Sequence, residues 1–207
     1  MTEAPVKQPQ KDRIVICLDG IVRALWKLLP FDCAWTDYLA GARERRPDLT
    51  FIHLQQPYDW HDLLSGSAKP YEELVRGMAE ELLTHDGERW EEVLVMGFSM
   101  GGLTALNLTE EIGRSDANIA PRRLIFCSFG TPFGGPYDAA TSMLQRLSNT
   151  YLDRIYDSDS TRRYFKDLLD SARLSRKMSL EIYLHYIERD EFVPPRSALL
   201  PADWLYF

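Results

Sequence analysis

One pattern narrows the fold more than any other: short apolar runs rich in β-branched and aromatic residues, each separated from the next by a stretch of helical period. The runs are Arg13–Leu18 (RIVICL), Leu49–Leu54 (LTFIHL), Glu92–Phe98 (EVLVMGF), Arg122–Ser128 (RRLIFCS) and Ser179–Ile187 (SLEIYLHYI), with Asp203–Phe207 (DWLYF) expected as a sixth. RIVICL has the profile of a strand buried on both faces. Strands separated by helix-length segments require crossover connections, so the expected class is α/β, a mostly parallel sheet of about six strands with helices on both faces.

The helical segments carry their own punctuation. Trp35, Tyr38, Leu39 and Ala42 share one face, and Pro47 marks a stop. Pro70 sits in a first turn, followed by a stripe through Tyr71, Leu74, Val75, Met78, Leu82 and Leu83. A third helix is expected over Met100–Ile112, with Gly113 as its C-cap. Residues 1–12 are polar, hold two prolines and read as a flexible tail, leaving 13–207 as one domain. Between the fourth and fifth strands the chain is longer than a simple crossover needs. Two amphipathic helices fit there, one through Met143, Leu144, Leu147, Tyr151 and Ile155, the other through Tyr164, Phe165, Leu168, Leu169 and Ala172. Residues 136–178 are therefore a helical insertion that reads equally as a lid over the carboxyl ends of the strands or as ordinary cover for the sheet.

Composition removes several function classes. Of 207 residues, 45% are hydrophobic and 27% charged, an ordinary globular balance. The 24 Lys and Arg against 31 Asp and Glu leave a net charge of −7, which gives no field to attract a nucleic-acid backbone. The clusters Arg43, Arg45, Arg46 and Arg162, Arg163 are short and read as solvated helix faces. No stretch has the apolar length of a membrane span and no signal peptide opens the chain, so a cytoplasmic location is expected. Cys17, Cys33 and Cys127 lack metal-ligand spacing and read as small buried hydrophobes.

The most informative stretch is Val93-Leu94-Val95-Met96-Gly97-Phe98-Ser99-Met100-Gly101-Gly102-Leu103. It places G-x-S-x-G between an expected strand and an expected helix, the context in which that motif forms a nucleophile elbow. Such a turn holds serine in strained backbone geometry, so its close neighbours must be small, as Gly97, Gly101 and Gly102 are. The hydroxyl then projects at a helix N-terminus, where the Met100 amide and the positive helix end favour a developing oxyanion.

With that stretch the chain resembles the α/β-hydrolase superfamily, in particular its lipase, esterase and thioesterase branches. The resemblance extends to Leu18-Asp19-Gly20-Ile21 after the first strand, to Phe129-Gly130-Thr131-Pro132-Phe133-Gly134-Gly135, which is similar to a GTP-x-x-G segment, and to Ile187-Glu188-Arg189-Asp190-Glu191-Phe192-Val193-Pro194. It implies Ser99 as nucleophile and Asp190 as the acid of the triad, with Asp138 a weaker candidate and a turn role for Asp190 the alternative. It also implies the amides of Met100 and of Ile21, or of Val22 beside it, as oxyanion donors, with Gly20 allowing close backbone approach. Asp19 stands where members often carry histidine and is read as a loop-organising residue.

The base is the open position. The family's histidine follows the last strand, and here the sequence stops at Phe207, as a chain cut short of that loop would. Of the four histidines, His53 and His185 lie in strand-like runs and read as core residues, and His85 falls at the far edge of the sheet. His61, in Tyr58-Asp59-Trp60-His61, leaves a strand on the site's side, but that strand is expected to be separated from the nucleophile strand by another, so the base stays unassigned. The reading is a serine hydrolase that cleaves an ester or thioester of a small apolar acyl substrate through an acyl-enzyme on Ser99. Aromatic residues near the expected mouth, Trp26, Trp60 and Phe133 foremost, are its substrate-binding candidates. No cofactor and no metal is implied. Two alternatives stand beside it: a binding or scaffold protein that keeps the fold without the chemistry, and an acyltransferase that uses the same serine. The sequence does not give the oligomeric state.

Overall fold

A computed structural model describes residues 12–18, 34–54, 71–84, 90–115, 120–131, 133, 162–163, 165–170, 178–186 and 188. In chain order the elements are β1 (Arg13–Leu18), α1 (Ala34–Arg45), β2 (Thr50–Leu54), α2 (Tyr71–Thr84), β3 (Glu92–Phe98), α3 (Met100–Arg114), β4 (Arg123–Phe129) and β5 (Ser179–His185). All neighbouring strands run parallel, in the order β2-β1-β3-β4-β5. The class is thus α/β, with five strands among the described residues. The expected sixth, over 203–207, lies outside them.

Burial follows strand position. The three inner strands are apolar on both faces because helices cover both: Ile14, Val15, Ile16, Cys17 and Leu18 of β1 are all buried. Among the described strands the outermost two, β2 and β5, are half-buried or exposed along their length. On one face α2 and α3 pack Val75, Ala79, Leu82, Leu103, Leu106 and Ile112 against Ile14, Ile16, Val93, Val95, Leu124 and Phe126. On the other, Leu39 of α1 joins Val15, Cys17, Met96 and Cys127. Burial in this second cluster pushes the Cys127 thiol up to about 11, which keeps it protonated and inert. Cys17 is likewise a buried free thiol.

α3 is the pivot of the fold. Every residue from 101 to 110 is buried, an enclosure that a merely amphipathic helix does not have. Its buried polar groups find partners: the Thr109 hydroxyl donates to the Ala105 carbonyl at 2.6 Å, and Arg114 reaches the Glu110 carboxylate at 3.1 Å. The helix runs on past Gly113, which is not the cap. It ends at Ser115, whose amide and hydroxyl both donate to the Ile112 carbonyl. Gly113 instead lies where α3 packs on Leu124, Leu168 and Met178, with room for a methyl group at ordinary contact distance.

Of the expected insertion 136–178, residues 162–163 and 165–170 are helical, and Met178 is also described. Phe165 and Leu168 are fully buried, Phe165 edge-to-face with Phe126 and Phe133. This part covers the sheet; the rest of the insertion lies outside the described residues.

Candidate active site

The site begins with how β3 ends. Gly97 is the last buried residue of that strand, and a Cβ there would fall onto the Gly101 carbonyl group and the Gly102 nitrogen, backbone atoms that cannot step aside. The close approach lets the chain reverse from strand to helix within one residue. That residue is Ser99, with φ 53° and ψ −125°; it alone among the described non-glycine residues has a positive φ. Left-handed φ is costly for a side chain with a Cβ, roughly 1–3 kcal/mol, and persists only where the surroundings impose it. Two hydrogen bonds contribute: the Ser99 amide donates to the Phe129 carbonyl at 2.8 Å, and the Gly102 amide donates to the Ser99 carbonyl at 2.9 Å.

The side chain is left for chemistry. Ser99 occupies the N-cap position of α3, where a serine ordinarily folds back to accept from the helix amides, yet it makes no such capping bond. It is half-buried rather than sealed. Its hydroxyl therefore stands at the positive end of a 15-residue helix without being consumed as a cap.

Topology places this serine where open α/β sheets hold ligands. From β1 the chain moves outward to β2, then returns to the other side of β1 to form β3 and continues to β4. The strand order reverses between β1 and β3, so their carboxyl ends, Leu18 beside Gly97, flank the crevice of a switch point. Ser99 leaves β3 at that point.

The expected partners divide sharply. Met100 opens α3 directly after Ser99, so its amide lies in the first helical turn. Asp19, Gly20, Ile21, Val22, Trp26, Trp60, His61, His85, Asp138 and Asp190 lie outside the described residues. Phe133 is 1% exposed, with its ring edge-to-face against Phe126 and Phe165 at 6.4 Å and 5.4 Å. Its described surroundings are core rather than a substrate-accessible wall.

Two histidines are placed, one against expectation. His53 is half-buried in β2, in register with Cys17. His185 is no core residue: it is exposed at the carboxyl end of β5, its ring stacked on Phe129 at 4.6 Å and 9°. Phe98, Phe129 and His185 are in register, so their side chains share one face, with Phe98 41% exposed. The apolar run around His185 belongs to the outermost described strand on that side, and burial does not reach its final residue.

Two further residues belong to the site's framework, and sequence reasoning gave them no role of their own. Gly130 follows β4 with φ 54°, and its amide donates to the His185 carbonyl at 2.8 Å. Thr131 follows it, fully buried, with a hydroxyl that has no hydrogen-bond partner. The GTP triplet marks the place in the sequence but not the contact.

Among the described residues, no group of three His, Cys, Asp or Glu could hold a metal ion, and no helix is long and apolar enough to cross a membrane. No protein-family model matches the sequence, and no curated protein matches it. Among solved structures, the chain is similar to a monoacylglycerol lipase from Paleococcus ferrophilus, with 12% identity and a TM-score of 0.41, over 89% of this chain and 77% of that one.

Proposed function

We propose that the chain is a serine hydrolase of the α/β-hydrolase type that cleaves a carboxylic ester or thioester. One observation carries the reading: Ser99, the one non-glycine residue with positive φ among the described residues, sits in the turn between β3 and α3, making no side-chain cap bond, at the switch point of a parallel sheet. A tight turn without a chemical task has no need to hold a serine in a costly conformation, because glycine adopts it freely.

In this reading the Ser99 oxygen attacks the substrate carbonyl as its proton passes to a base, and the carbonyl oxygen becomes an oxyanion. The Met100 amide and the Ile21 amide donate to that oxygen, the first from the helix start and the second from the segment after β1. Collapse expels the alcohol or thiol, which takes the proton back from the base, and leaves an acyl-enzyme. Water then repeats the sequence and frees the acid. Asp190 orients the base histidine and stabilises it once protonated. The acyl group is apolar and rests against Trp26 and Trp60. Phe133, buried in the core, is not included.

Incubation with a fluorophosphonate probe, followed by mass mapping, tests the reading. The adduct is expected on the peptide that holds Ser99, and Ser99→Ala removes it. A folded protein that takes no adduct there contradicts the proposal and favours a binding protein. Acyl transfer in place of hydrolysis appears as ester product with an added alcohol, beyond what the alcohol's concentration predicts.

A further inference from the structure

The carboxyl ends of β3, β4 and β5 are tied in series. Phe98, Phe129 and His185 are in register, and the residue after each of the first two donates its amide to the last carbonyl of the next strand: Ser99 to Phe129, Gly130 to His185. Ser99 and Gly130 take nearly the same positive φ, 53° and 54°. The exits of the two strands are thus alike, except that one leads into α3 and the other into Thr131.

Thr131 returns to α3. A Cβ on Gly102 would lie 2.7 Å from both Cβ and Cγ2 of Thr131 and would overlap its hydroxyl, so the threonine side chain fills the space in front of that glycine. Gly102 in turn donates its amide to the Ser99 carbonyl. A continuous path of contact runs from the exit of β4 through Thr131 and Gly102 to the backbone of the strained serine. The Thr131 hydroxyl is buried without a partner, so what the residue supplies here is shape rather than a hydrogen bond.

We infer that Thr131 is a positioning residue for Ser99: its branched side chain, oxygen and methyl together, wedges the first turn of α3 against the β4 exit and holds the serine backbone in its positive-φ conformation. The inference rests on the nucleophile reading above. A strained conformation relaxes when its support is removed, and a displacement of the attacking oxygen lowers the rate of chemistry more than it weakens binding.

Three variants separate shape from polarity: Thr131→Val keeps the shape and loses the hydroxyl, Thr131→Ser keeps the hydroxyl and loses the methyl, and Thr131→Ala loses both. The readouts are the fluorophosphonate labelling rate, kcat and KM for p-nitrophenyl butyrate, and thermal melting. Val is expected to label and turn over like wild type. Ser and Ala are expected to fall about tenfold in labelling and in kcat, with KM changed by less than about twofold. If Ala does not fold, the Val and Ser pair decides, together with Gly102→Ala, which is expected to lose rate alone and regain it with Thr131→Gly. Labelled wild type with Ser and Ala unchanged overturns the inference, as does a folded Val variant that labels tenfold slower. A folded wild type that takes no label overturns the nucleophile reading itself and this inference with it.

Discussion

At the scale of single residues, the geometry around Ser99 is set by what its neighbours lack. Gly97 faces backbone, so a methyl group there cannot be absorbed by the turn of a side chain. Gly97→Ala is expected to lower stability by about 2 kcal/mol or more through overpacking and to abolish labelling of Ser99. Denaturant melts of the variant check the first outcome; unchanged stability would mean that the strand-to-helix turn is looser than described. The strand-to-helix turn at Ser99 was legible in the sequence because it is local: a few consecutive residues define strand, turn and helix start. The Thr131 contact was not, because it joins positions 29 residues apart in the chain. His185 was misplaced for a related reason. An apolar strand pattern signals a sheet but does not say which strand forms its edge or how far cover extends along it.

At the scale of elements, the five described strands were read to within a residue or two, since β-rich runs bounded by turn residues leave little freedom. The C-terminus of α3 was not. Glycine near the end of a helical pattern suggests a cap, yet Gly113 lies inside α3, buried against Leu124, Leu168 and Met178. A methyl at Gly113 would sit 3.5 Å from Leu124 Cδ2 and from Leu168 Cδ1, ordinary contact distances. Gly113→Ala is therefore expected to leave the fold intact and to raise stability by up to about 1 kcal/mol, the helix-propensity gain. A substantial loss in a thermal melt would show that the approach is tighter than these distances. Enclosed on all sides, α3 is the opposite case at its centre: Leu106→Ala is expected to cost about 3 kcal/mol, measured by urea unfolding.

At the scale of the molecule, stability depends on pH through carboxylates that folding moves in opposite directions. Arg46 beside Asp48 holds that carboxyl down to about 2, and hydrogen bonds from Arg123 and then Tyr183 lower Glu181. A lowered carboxylate stabilises the fold above its unfolded pKa, so this contribution is lost as pH falls from the ordinary carboxylate range toward 2. Arg123 joins β3, β4 and β5 through Glu92 at 2.8 Å and Glu181 at 2.7 Å, and because these pairs are only half-buried their effect weakens with salt. Glu110 runs the other way. Burial raises its pKa, with Arg114 only partly opposing. The folded protein then binds that proton more tightly than the unfolded chain, so stability falls as pH rises through the interval between its unfolded and folded values. Glu110→Gln is expected to flatten this slope above pH 4, as followed by melting temperature against pH; an unchanged slope would mean that the carboxylate is adequately compensated in the fold.

The parallel order β2-β1-β3-β4-β5 turns these local facts into a site, because it brings the exits of β1 and β3 together at the reversal and sets one strained serine there. The account therefore stands on whether that serine becomes covalently acylated. Rapid mixing with p-nitrophenyl butyrate, followed by an acid quench and peptide mass analysis, reads this directly. The account predicts an initial burst of nitrophenolate that approaches one equivalent per chain and a butyryl group on the Ser99 peptide, both absent in Ser99→Ala. Turnover with no burst and no acyl group on that peptide, or an identical burst in Ser99→Ala, would contradict it.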